Sequence, residues 1–202
     1  MIRPVAIAAC FLVVPLVLSA AAQDEPPRQP RTLHVAPDGD DASGDGSAGR
    51  PFAGVQHALD EVAQAGDTIV LAAGTYAEEV RVRLPGITIR SADGARATIA
   101  IPPSVDGDDP RFPVMFDVDA DGGALRGLEV TGGFYGVFLQ SKWDWGDPTD
   151  RAGATDVTIE DCAIHHTGRD AVKVTPGRAR FTLRRTEVYA SGIGYPPGTP
   201  QD

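Results

Sequence analysis

Lys173 is one of only two lysines, with Lys142, in a chain that carries 16 arginines. An ammonium can surrender its proton when desolvated or crowded by cations, which a guanidinium hardly does, so a lysine retained in such a chain invites a role as base. Asp170, three residues earlier, offers a carboxylate to a cation. Arg184 could grip a substrate carboxylate through two parallel N–H donors. His165 and His166 titrate near neutrality and can pass protons. Trp143 and Trp145 present flat apolar faces suited to stacking on sugar rings. These types are capable of proton transfer, cation binding and stacking on flat rings. Each also has a plain structural use: solvated surface charges for Lys173, Asp170 and Arg184, turn hydrogen bonding for the histidines, and loop packing for the tryptophans. The acidic runs Asp38-Asp40-Asp41-Asp45 and Asp106-Asp108-Asp109 read as solvated turns. The first puts Ala42 at the fifth position of an EF-hand pattern and lacks the closing glutamate. No phosphate-cradling glycine motif or zinc constellation is present.

What positions these groups is a repeat. Leu125-x-x-Leu128-x-Val130, Ile159-x-x-Cys162-x-Ile164 and Leu183-x-x-Thr186-x-Val188 share one spacing, and the last two lie 24 residues apart. Gly168 and Gly192 close them at the same offset. Short alternating strands, glycine turns and a fixed period predict a solenoid whose coils bury a common interior and carry chemistry outside. Alternation places Val137, Leu139, Val172 and Val174 inward, so Phe138 and Lys173 project outward from neighbouring coils, one above the other. At most one of His165 and His166 shares that outward direction. The larger, 34-residue step from Leu125 to Ile159 is filled by a loop, residues 141–154, that carries both tryptophans. Phe52, Val55, Leu59 and Val62 form one apolar stripe, predicting a short helix over about 52–64 that caps the N-terminal end. The acid-rich turn residues 37–50 precede it.

The ends and the charge set the context. Met1–Ala22 has Arg3 in a positive n-region, an apolar stretch from Val5 to Leu18 and an Ala20-Ala21-Ala22 cleavage site, a signal peptide too short for a membrane span. Export to a secreted or periplasmic location follows. Residues 23–31 form a proline-rich spacer, and 32–202 one domain with no C-terminal cap visible, expected to be incomplete there. Cys162 alone remains after cleavage and reads as a small buried residue. Net charge is −10, and −11 once Arg3 leaves, which argues against nucleic-acid partners. Oligomeric state is not legible.

The stretches Gly46 to Phe52, Ala65 to Tyr76 (AGDTIVLAAGTY) and His165 to Val174 (HHTGRDAVKV) resemble right-handed parallel β-helix proteins of the pectate-lyase-like superfamily. That resemblance implies an all-β solenoid with an N-terminal capping helix, acting on extracellular acidic polysaccharide. It further implies a polyuronate lyase that works by β-elimination: Ca²⁺ acidifies the C5 hydrogen, Lys173 is the base, Asp170 a metal ligand, Arg184 a carboxylate binder, and Trp143, Trp145 and His165 touch substrate. The aspartate cluster that follows the lysine in family-nine pectate lyases is missing, as are the paired glutamates of alginate- and chondroitin-type lyases. A non-catalytic carbohydrate-binding or cell-surface module, and an inverting glycoside hydrolase, remain as alternatives.

Overall fold

The structure, a computed structural model, describes residues 28–142, 153–175 and 180–194. The signal peptide, most of the spacer and both loop tryptophans lie outside those residues.

Fifteen described strands make three parallel sheets. Sheet A stacks β1 (Thr32–Val35), β2 (Thr68–Leu71), β5 (Thr88–Ser91), β8 (Ala124–Arg126), β11 (Val157–Glu160) and β14 (Phe181–Arg184). Sheet B stacks β3 (Gly74–Tyr76), β6 (Ala97–Pro103), β9 (Leu128–Gly133), β12 (Ala163–His165) and β15 (Glu187–Tyr189). Sheet C stacks β4 (Val80–Val82), β7 (Val114–Phe116), β10 (Val137–Leu139) and β13 (Val172–Val174). From β2 on the chain visits A, B and C in turn, so each circuit is one coil and the whole is a parallel β-helix.

Strands this short are unstable alone; stacking like on like is what holds them. Ile69, Ile89, Leu125 and Ile159 align in one inward column and are fully buried. Ile99, Val130 and Ile164 form a second column, and Val80, Val114 and Val137 a third. The repeat seen in the sequence is thus two of these columns, extended by Leu183 and Val188. Cys162 is buried beside them, and burial pushes its thiol pKa up, as expected of an inert packing residue.

The cap begins three residues later than the apolar stripe predicts. Phe52 bridges to Val35 instead of joining the helix, and α1 (Val55–His57) opens into a π-helical turn, Ala58–Val62. The Glu78 carboxylate accepts the first free N–H groups, Val55 at 2.8 Å and Gln56 at 2.9 Å, so the short helix is fastened to the coil below. The acidic turns close on themselves: Asp40 accepts from the Ala42 and Ser43 amides, and Asp41 from Ala53 and Gly54.

Two corners recur in the left-handed region. Between sheets A and B they are Gly127, Asp161 and Arg185, with φ of 64°, 55° and 49°. At the far end of the sheet B strands they are Gly132, His166 and Ala190, with φ of 86°, 53° and 50°. Only glycine fits at 132, where a Cβ would lie 1.6 Å from the Ile101 carbonyl oxygen. His166 takes the same turn with a side chain, at a cost of roughly 1 kcal/mol.

Candidate functional site

Sheet C carries the outward positions expected of Phe138 and Lys173. Their Cα atoms are register partners, and the column continues through Met115 to Arg81. A second column precedes each strand by two residues: Glu78, Phe112, Tyr135 and Asp170. The two columns interlock. Phe112 stacks on Phe138 with centroids 4.7 Å apart and on Tyr135 at 5.8 Å. Lys173 Nζ sits 5.5 Å from the centre of the Tyr135 ring and 3.5 Å from Asp170 Oδ2. All six of Phe112, Met115, Tyr135, Phe138, Asp170 and Lys173 are half-buried, so their outer faces reach solvent. Next to the cap, Arg81 is held by Asp117 at 2.7 Å and borders a groove of about 350 Å³ shared with Phe112 and Met115.

Lys173 and Asp170 are therefore brought together. Arg184 is not brought to them: it lies on sheet A, where its guanidinium meets Glu160 at 2.6 Å. Glu160 is 7% exposed and also receives Arg185, with Arg126 at 3.9 Å. Next in the coil, Arg185 pairs with Asp161 at 2.7 Å. In a three-sided coil the strand after the one bearing Lys173 faces another way, which linear spacing cannot show.

His165 is outward on sheet B and 7% exposed. It stacks on Tyr189 at 4.6 Å, and its Nε2 lies 2.9 Å from Glu129 Oε1, while Nδ1 faces His166 Nδ1 at 2.6 Å. Glu129 comes from the previous coil, 36 residues earlier.

The aromatic strip is the feature that sequence reasoning missed. The signal was there: Phe112 and Tyr135 each stand two residues before the first inward valine of a sheet C strand, the place Asp170 occupies one coil later.

Calcium requires six to eight oxygens. Among the described residues no group of three or more His, Cys, Asp or Glu side chains is placed to hold a metal ion, and Asp170 already faces Lys173 Nζ at 3.5 Å. That donor set does not make a resident calcium site.

No protein-family model matches the chain, and a search of curated protein sequences finds no match. Solved structures do resemble it. Pectate lyase Pel9A superposes with a TM-score of 0.60 at 20% identity, over 81% of this chain and 41% of that one. A lacto-N-biosidase from Eubacterium ramulus gives 0.49 at 14% identity, covering 78% of this chain and 36% of that one. Pectin methylesterase PemA from Erwinia chrysanthemi gives 0.47 at 12%, covering 77% and 48%. The chain has the fold of the first, a right-handed parallel β-helix. It spans less than half the length of that enzyme. No described helix is long and apolar enough to cross a membrane.

Proposed function

We propose that this is an exported β-helix protein that uses the outer face of sheet C on acidic polysaccharide, with Lys173 as the base of a β-elimination. The observation that carries the proposal is the position of Lys173: outward on its strand, half-exposed, and adjoining a strip of rings broad enough to seat sugars. As the free amine, Lys173 takes the C5 proton of a uronic acid residue. The C4–O4 bond breaks, its electrons leave with O4, a C4–C5 double bond forms, and O4 gains a proton from solvent. Asp170 holds the Lys173 side chain over the strip. Arg184 is read as part of the sheet A charge ladder, where its partner Glu160 is nearly buried.

A second reading is favoured by the single carboxylate beside Lys173: the face binds glycan without cleaving it. Incubation with a panel of acidic polysaccharides, with added Ca²⁺ and with chelator, separates the two. Ultraviolet-absorbing unsaturated ends are the expected result, and their dependence on Ca²⁺ tests the cation that the resemblance implies. Glycan binding with no product leaves the binding module. New reducing ends without the double bond indicate the inverting hydrolase instead.

A further inference from the structure

Two of the four histidines are adjacent in sequence, and within a strand such neighbours point to opposite faces. His165 and His166 do not. His165 ends β12, and His166 turns the chain into the left-handed region with φ of 53°, which brings the two rings together, centroids 4.9 Å apart. The coils on either side place Gly132 and Ala190 at that position. A bulky side chain there carries backbone strain that glycine would relieve, and such strain collects at sites of use.

The two Nδ1 atoms face each other at 2.6 Å. What lies behind His165 decides where its hydrogen sits. Nε2 is 2.9 Å from Glu129 Oε1, and an ionised carboxylate only accepts, so the neutral ring carries its hydrogen on Nε2 and keeps a lone pair on Nδ1. Glu129 is itself held, with Thr98 Oγ1 3.4 Å from its other oxygen. Tyr189 stacks on the nearly buried His165 ring at 4.6 Å and fixes its plane. A carboxylate behind an imidazole whose far nitrogen is left bare is the arrangement that orients a metal-binding histidine.

We infer that His165 and His166 form a site for one divalent transition-metal ion of the zinc and copper class, bound through both Nδ1 atoms, with Glu129 as its positioning residue. Imidazole nitrogen suits such ions, whereas calcium and magnesium take oxygen. Bonds of about 2.1 Å hold two nitrogens roughly 3 Å apart, so the pair opens by about 0.5 Å to admit the ion. His166, the exposed member, gives that movement. Its hydrogen passes from Nδ1 to Nε2 through water, so the neutral pair binds the ion with no net loss of a proton. No group of three His, Cys, Asp or Glu forms among the described residues, so water fills the remaining positions and the ion exchanges with solvent. The site lies on sheet B and stands or falls apart from Lys173 on sheet C.

The test is isothermal titration calorimetry of the protein with ZnCl₂ at neutral pH, repeated in excess CaCl₂. His166→Gly removes one ligand and puts at this corner the residue that the coil before it already carries, so the fold is kept. Glu129→Gln keeps the shape of the side chain and removes its charge. His57→Ala, in the cap, controls for an ordinary histidine. Expected is one Zn²⁺ per chain, held at least tenfold more weakly by His166→Gly and ten- to a hundredfold more weakly by Glu129→Gln, with no change in His57→Ala or in excess Ca²⁺. Zn²⁺ should also raise the melting temperature of the parent and not that of His166→Gly. A parent that binds no Zn²⁺, displacement by Ca²⁺, or undiminished affinity in His166→Gly or Glu129→Gln overturns the inference, and each of these leaves the proposed function untouched.

Discussion

Sheets A and C wind from the same coils, yet their outer faces have opposite characters. On sheet A the outward column runs Arg90, Arg126, Glu160, Arg184, and its arginines meet carboxylates, Arg126 and Arg184 at Glu160 and Arg90 at Asp93, 2.9 Å away. On sheet C the corresponding column runs Arg81, Met115, Phe138, Lys173, and its middle is apolar and open. Both faces leave the interior columns untouched. A β-helix thus separates the residues that make it stable from those that give it a task, and the outer columns can be spent on either. Sheet A directs its charges at its own neighbours. Sheet C has half-buried rings whose outer faces, among the described residues, reach solvent.

This contrast can be broken most sharply at Lys173. Lys173→Ala should lower formation of unsaturated product by two to four orders of magnitude, the range for loss of a general base. Its unfolding free energy should stay within about 0.5 kcal/mol of the parent, since the residue is a half-exposed surface side chain. Retained activity removes Lys173 from the mechanism.

Glu160→Gln should do the reverse. It leaves Arg126, Arg184 and Arg185 facing each other around a nearly buried amide, and should cost about 2 kcal/mol in urea unfolding. Turnover per folded molecule should hold. A fall in turnover with no loss of stability would show that sheet A also takes part in the task.

The interior that both faces share supplies the smallest effect. Tyr76 is buried, and its hydroxyl lies 3.0 Å from the carbonyl oxygens of Val35 and Ala72. Burial, helped by Glu78 and Asp38, pushes its pKa up to about 12. The unfolded phenol ionises near 10, so between those values the folded state keeps a proton that the unfolded state has lost. Stability therefore stands intact below about pH 10 and falls as pH rises toward 12, by roughly 1 to 2 kcal/mol. Melting curves of the parent and Tyr76→Phe should converge across that window, and curves that stay parallel would deny the linkage.

Much of the fold was legible because a solenoid writes its columns into the sequence at regular spacing. Leu125, Ile159 and Leu183 are in register as their matching motifs require, and counting alternation from Val137 and Val172 was enough to pair Phe138 with Lys173. Asp170 with Lys173 is a local pair, three residues apart, and was legible for that reason. What spacing could not show was direction around the coil. Arg184 reads as the next outward cation after Lys173, but three sheets share each circuit and it faces elsewhere. Nor could it show partners between coils of unequal length. Glu129 meets His165 across 36 residues and Glu160 meets Arg184 across 24, and no single period yields both. The helix start slipped from Phe52 to Val55 because Phe52 has a better use: its amide donates to the His34 carbonyl of β1 and its carbonyl accepts from Ala36 just beyond that strand.

The unequal circuits have a mechanical consequence. From Ile69 to Ile89, Leu125, Ile159 and Leu183 the steps are 20, 36, 34 and 24 residues. Each circuit is fastened to the next by its own ladder of backbone bonds, so tension applied along the chain peels the molecule ring by ring. The slack set free at each rupture is then a signature of the ring that yielded, roughly 7 nm for the shortest and 13 nm for the longest.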